Sequence, residues 1–190
     1  MIIAFTKGAA KVFKIKPTIA RPNSWSAPTL DNWVLSFNWD RGQNRSVTLI
    51  HKFSLFSLTV VSPNMEIDYC LQLIKEQLYT LLSEVKLPTN KYYSYFDDLF
   101  QQINIVKHND PAISRYIGDY RWFLESYEED AARDNIKIKS IDVSRKLNDR
   151  LQIQFDFKKP SEIFFELVKN HCHDPILVTY QETTQNTNIH

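Results

Sequence analysis

Glycine is almost missing from this chain. Gly8, Gly42 and Gly118 are the only three in 190 residues, so neither a P-loop nor a G-x-G-x-x-G dinucleotide turn, each needing several closely spaced glycines, can be written anywhere. Nucleotide-dependent chemistry of the common kinds is excluded, and no cofactor is expected. Cysteine is nearly as scarce. Cys70 and Cys172 are too few for a disulfide framework or a tetrahedral thiolate site and fit a reducing compartment. No run approaches the roughly 18 apolar residues of a spanning helix, and the apolar start Met1 to Phe5 is too short for a signal-peptide core. The expected location is therefore cytoplasmic, away from membranes. An excess of one charge is lacking too: Lys plus Arg number 23 against 22 Asp plus Glu, a net +1. That balance hides an acid-free first 30 residues, which carry Lys7, Lys11, Lys14, Lys16 and Arg21.

What the chain does have is aromatic residues, twelve Phe, nine Tyr and four Trp, within an ordinary globular composition of 43% hydrophobic and 24% charged residues. The length fits one domain. We expect it to span 1–180, with a Pro-rich loop at 17–31 set by Pro17, Pro22 and Pro28, followed by a disordered polar tail at 181–190. Met1 to Phe5 reads as a strand and Lys7 to Lys16 as a short helix. Trp33, Leu35, Phe37 and Trp39 alternate with Val34, Ser36, Asn38 and Asp40, the pattern of a half-buried strand. Ser46 to Ile50 and Leu55 to Val61 continue it as an antiparallel meander. Ile67, Cys70, Leu71, Ile74, Leu78, Leu81, Leu82 and Val85 recur at helical spacing. Phe96, Leu99, Phe100, Ile103 and Val106 mark a second helix, and Asp110-Pro111 caps a third whose buried stripe is Ile113, Ile117, Tyr120, Leu124 and Tyr127. Gly118 inside that helix implies a close packing contact or a bend. Leu151, Ile153, Phe155 and Phe157 alternate with polar residues as a strand does, Pro160-Ser161 opens a short helix, and Ile176 to Tyr180 reads as an edge strand. The expected fold is α+β, a small antiparallel sheet of four to six strands packed on one face by three or four helices at 66–86, 92–107 and 111–131 and beyond. Trp33, Phe37, Trp39, Phe96, Phe100, Tyr120, Phe155 and Phe157 are its expected core.

Local constellations of catalytic residues are weak. His171-Cys172-His173-Asp174 is the densest metal-capable run, and His171 and His173 are the metal candidates, but no second ligand pair accompanies them. A polar helix end, where histidine meets the carbonyl dipole, explains the run more simply. No Gly-x-Ser-x-Gly elbow, catalytic-cysteine signature or His-x-x-x-His pair occurs. Glu125, Glu128, Glu129, Asp130 and Asp134 crowd the end of the third helix, where they oppose its dipole and would suit a basic partner, though a solvated helix face is the simpler reading of them. Lys137, Lys139, Arg145, Lys146 and Arg150 form a second basic stretch. Together with the N-terminal lysines they could neutralise phosphates. Trp25, Tyr92, Tyr93, Trp122 and Tyr180 fit no buried stripe. They are the aromatics expected at a contact surface, although Trp25 reads first as a plug pinning its loop.

The start Met1-Ile2-x-x-x-Thr6-Lys7, the Asp31-Asn32-Trp33 lead into a strand, and Arg45 to Val61 with its Ser54-Leu55-Phe56-Ser57-Leu58 element resemble the bacterial domain-of-unknown-function family numbered sixty-nine thirty-three. The family's Arg-Ser-x-x-Gly-type helix start falls here at Ser114 to Gly118, and its Leu-Asn segment at Leu147-Asn148, so the resemblance covers residues 1–168. Arg121-Trp122 stands where an Asn-Asp pair is expected, which weakens any site built on that pair. The resemblance implies a small sheet followed by helices in a single-domain bacterial or mobile-element protein, and it implies no activity.

The leading functional expectation is thus a non-enzymatic protein-interaction module of antitoxin, immunity or regulatory type, with Trp25, Tyr92, Tyr93, Trp122, Glu128, Glu129 and Asp130 meeting another protein. One alternative is nucleic-acid binding through Lys7, Lys11, Lys14, Arg21, Lys146 and Arg150. The other is a hydrolase or nuclease centred near His171 and His173.

Overall fold

In the computed structural model, which describes residues 1–19, 25, 28–39, 45–62, 66–85 and 89–173 apart from the side chains at 39, 89–91, 172 and 173, five strands form one sheet. Their order is β4-β3-β2-β1-β5. β1 (Ile2–Phe5) lies between β2 (Asn32–Trp39) and β5 (Asn104–Lys107) and is parallel to both. β2, β3 (Arg45–His51) and β4 (Ser57–Val61) run antiparallel as the expected meander. The architecture is a single α+β domain, as expected, but the sheet is mixed rather than antiparallel throughout. The long connections that separate β1 from β2 and from β5 permit parallel pairing, which a tight hairpin would forbid.

Helices α1 (Lys7–Val12), α2 (Ile67–Glu84), α3 (Thr89–Gln101), α4 (Pro111–Arg133), α5 (Ser140–Asn148) and α6 (Pro160–His173) surround the sheet. They cover both faces, not the one face expected. α1, α2, α3 and α6 bury Ala9, Ile74, Leu78, Phe96, Phe164 and Val168 against Ile3, Phe5, Trp33, Leu35, Phe37, Leu49 and Leu58. α4 sits on the opposite face, where Ile113, Tyr116 and Ile117 meet Ile2, Ala4, Val34, Ile50 and Val106. Both sides of β2 are consequently buried, including Ser36 and Asn38, whose polar character had suggested solvent.

Three further departures have local causes. Asn104–Lys107 extends the sheet beside β1 instead of continuing α3, because Ile103 and Val106 fit either period over so short a run. Thr18 bridges to Val106 along its outer edge. Residues 151–157 form no strand: a single 3-10 turn occupies Ile153–Phe155, and Asp156 and Phe157 adopt positive φ of 51° and 61°. Phe155 alone of the alternating set packs against the sheet. Finally, Gly118 makes no close contact, since a Cβ added there would meet nothing within 4 Å. The proposed strand at 176–180, the tail at 181–190 and the side chain of Trp39, an expected core residue, lie outside the described residues.

The exposed edge of β4 is closed by a helix instead of a strand. Ser140, Ser144 and Asn148 recur every four residues on α5, and their side-chain oxygens accept from the N–H groups of Val61, Thr59 and Ser57 at 2.9, 2.8 and 2.7 Å. Asn148 also donates to the Ser57 carbonyl at 2.8 Å, and Gln77 of α2 to that of Thr59 at 2.9 Å. A helix advances about 6 Å in four residues and a strand about 6.6 Å in two, so one stripe serves alternate edge groups. An edge so covered offers no template for a further strand.

Candidate functional site

α4 starts as the sequence predicts. The Asp110 carboxylate accepts from the Ala112 and Ile113 N–H groups ahead of Pro111, satisfying two of the donors a helix N-terminus leaves open. Its inner side is then locked by hydroxyls. Tyr120 Oη lies 2.5 Å from Thr48 Oγ1 and 3.1 Å from Thr59 Oγ1, which bond each other at 3.0 Å. Tyr116 Oη donates to the Leu55 carbonyl at 3.2 Å. Burial pushes the Tyr120 phenol up to about 12, so it stays neutral, accepting from the Thr48 hydroxyl and pairing with that of Thr59. Farther along, Phe123 and Tyr127 lie parallel, with Arg150 4.8 Å over the first ring and Lys146 4.2 Å over the second. These cation–π contacts tie α5 to α4 and fix where residues 150–157 begin.

The outer side of α4 faces that loop across an open cleft. One end, about 390 Å³, is lined by Gly118, Asp119, Trp122, Arg150, Leu151 and Ile153 among others. The adjoining end, about 430 Å³, is lined by Pro111, Ala112 and Arg115, and the two share Tyr116, Asp119, Gln152 and Gln154. Trp122 is 70% exposed, Leu151 60%, Ile153 77%, and Phe157 on the same loop 64%. Positive φ at Asp156 and Phe157 turns the loop back so that the Phe157 N–H reaches the Gln152 carbonyl at 3.0 Å, and the Gln152 N–H reaches that of Lys158 at 3.1 Å. Phe155 is thereby anchored inward while its neighbours stand out. Four large apolar side chains exposed beside a concave surface are unusual unless something covers them.

The expected contact residues separate under this geometry. Trp122 belongs to the cleft. Trp25 is only 4% exposed, with Lys52 Nζ 4.7 Å over its ring, so it is the plug and not a contact. Tyr92, 2% exposed, is core, and Tyr93 packs half-buried on Tyr79 with ring centroids 4.5 Å apart. Glu128 points inward, 7% exposed, which removes it from the acidic patch. Glu129 and Asp130 stay on the surface, Asp130 paired with Arg133 at 2.8 Å. Tyr180 lies outside the described residues. Leu151, Ile153 and Phe157 are surface residues that a strand-like alternation disguises as one buried face.

The basic segments do not merge into one face. Lys7 and Lys11 stand on α1, which packs on β1 and β2, with Lys14 just beyond it, whereas α5 lies along β4. Arg145 is held by Glu84 at 2.5 Å and Asp142 at 2.9 Å, and Lys146 and Arg150 by their aromatic partners. Arg21 lies outside the described residues.

Among the described residues two serine–histidine pairs occur, and the geometry of neither activates the serine. His51 Nδ1 sits 2.8 Å from Ser54 Oγ and its Nε2 2.9 Å from the Thr29 carbonyl, all within the core. Burial holds this imidazole down at about 4, so it is neutral, and no substrate can reach it. His108 Nε2 lies 3.0 Å from Ser114 Oγ, but the Ser114 hydroxyl donates to the Asp110 carbonyl at 2.9 Å, leaving the histidine as donor rather than base. Burial also pushes the Cys70 thiol up to about 11, away from reactivity. Of the metal candidates, His171 is exposed with its ring 4.8 Å from that of Tyr95. The side chains of Cys172 and His173 lie outside the described residues, and among the described residues no three metal-capable side chains converge. None of the described helices is long and apolar enough to cross a membrane.

The residues that carry the family resemblance meet at structural joints. Trp33 Nε1 donates to the Leu30 carbonyl at 2.7 Å and Asn32 Nδ2 to Thr29 Oγ1 at 3.0 Å, beside the His51–Ser54 pair. Asn148 clamps Ser57. The chain matches no family model, no curated protein and no solved structure.

Proposed function

We propose that this chain is a non-enzymatic protein-interaction module, of antitoxin, immunity or regulatory type, that docks another protein on the outer side of α4 and the 150–157 loop. The observation that carries the reading is the cluster of exposed Trp122, Leu151 and Ile153 lining one cleft, with Phe157 on the same loop. Aromatic anchors in a concave apolar patch with a polar rim are the usual core of a protein interface. Neither described serine–histidine pair, His51–Ser54 or His108–Ser114, is the centre near His171 and His173 on which the hydrolase alternative rests.

The test is capture from extracts of the native cells with the wild-type protein and with a Trp122→Ala/Ile153→Ser variant. One stoichiometric partner should be retained by the wild type and lost by the variant, whose fold is verified by circular dichroism. Equal retention by both would move the docking face elsewhere.

A further inference from the structure

The outer side of α4 carries more than apolar surface. Gly118, Trp122, Glu125 and Glu129 follow one another at helical spacing and share a face, so the apolar end of the cleft runs directly into an acidic stripe. Glu125 and Glu129 are exposed and form no ion pair with a described residue. Glycine weakens a helix interior relative to alanine, yet among the described residues no neighbour occupies the space the missing side chain leaves at Gly118. That space opens into the cleft between Trp122 and the 150–154 wall. On that wall, the side-chain amides of Gln152 and Gln154 form no hydrogen bond within the described protein and line both ends of the cleft.

We infer that the cleft takes an extended peptide segment of the partner, which seats an apolar side chain over Gly118 beside Trp122 and follows it with Lys or Arg residues directed at Glu125 and Glu129. This deepens the docking reading and rests on it. An extended segment is favoured over a helix because free amide side chains pair with main-chain N–H and C=O groups, which a helix has already used. Charge selects the flanking residues: the only unpaired charges on α4 beyond Trp122 on this face are negative, and they already oppose the helix dipole, so a cation is doubly favourable there. Geometry sets the spacing. Gly118 and Glu125 are seven residues apart, about 10.5 Å along a helix, which an extended chain covers in about three residues; Glu129 needs about five.

The test is selection of phage-displayed random peptides on the immobilised wild-type protein, with counter-selection on Trp122→Ala. Synthetic versions of the enriched peptides are then titrated calorimetrically into wild type, Gly118→Leu and Glu125→Lys/Glu129→Lys. Enriched sequences should share a large apolar residue with Lys or Arg about three and five positions away. Affinity should fall at least tenfold in each variant and weaken with salt in the wild type, as exposed ion pairs do. Peptides that depend on Trp122 but lack the basic residues, or that bind Gly118→Leu undiminished, would overturn the inference and leave the docking reading standing. Peptides indifferent to Trp122 would sink both. A wild-type dimer in sedimentation that Trp122→Ala dissociates would put a second copy in the cleft and likewise overturn the peptide.

Discussion

Under α2, α3 and α6 the sheet presents Ile3, Phe5, Trp33, Leu35, Phe37, Leu49 and Leu58, whereas under α4 the same strands present Ala4, Ser36, Asn38, Thr48, Ser57 and Thr59. The first face holds the fold by area. Phe164 there stacks on Phe56 at 4.2 Å and meets the edges of Trp33 and His51. The second face has small side chains and holds α4 by direction, through hydroxyl contacts that are satisfied in only one register. Burial is roughly indifferent to a small slide of a helix, while a buried hydrogen bond is not. The helix with the directional inner side is also the one whose outer side carries the cleft proposed for docking.

The largest expected effect lies on the apolar face. Phe164→Ala should cost about 3–5 kcal/mol in urea denaturation, and a loss under 1 kcal/mol would mean that face is not the main source of stability. His51 sits beside it and makes stability depend on pH. Its folded value of about 4, depressed first of all by burial, lies below the unfolded value near 6.5, so between these limits the unfolded chain binds the extra proton. The His51 contribution is complete above about pH 6.5, falls as pH drops, and levels off below about 4, up to about 3 kcal/mol in all. Wild type should lose that much more than His51→Gln between pH 7 and 4; parallel curves would remove the buried neutral imidazole from the account.

On the hydroxyl face, Tyr120→Phe should cost about 1–3 kcal/mol by leaving Thr48 and Thr59 short of a partner. Adding Thr48→Val and Thr59→Val should recover part of that loss, because apolar replacements of all partners leave nothing unpaired. A triple variant weaker than the single would argue that this face, too, works by packing. The smallest effect has the opposite sign: Gly118→Ala should stabilise the protein by up to about 1 kcal/mol, since nothing stands where its Cβ would go. A destabilised Gly118→Ala would restore the tight contact that the bare sequence suggests.

Much of this is legible in the amino-acid order, and the failures share a cause. α2 and the β2–β3–β4 meander emerge because their periods run long enough to separate 3.6 from 2. Asn104–Lys107 is four residues long and cannot make that distinction. Residues 151–157 imitate a strand perfectly in hydropathy, while the property that decides them is left-handed backbone at Asp156 and Phe157, which Asp tolerates better than most residues but Phe gives no warning of. Polar Ser36 and Asn38 looked solvated because the sequence does not say that α4 returns over them. Trp122 was found as an aromatic that fits no buried stripe; the same reasoning picked Tyr92 and Trp25, which tertiary contacts bury. The cleft itself needs α4 and the 150–157 loop side by side, a juxtaposition no local pattern encodes.

The outer side of α4 is the proposed docking face for the partner. The most direct measurement is amide chemical-shift mapping of isotope-labelled protein titrated with the partner captured from native extracts. Shifts and broadening concentrated in residues 111–129 and 150–157 are the predicted result; changes confined to α1 or to the α2–α3 surface, with that region silent, would contradict it.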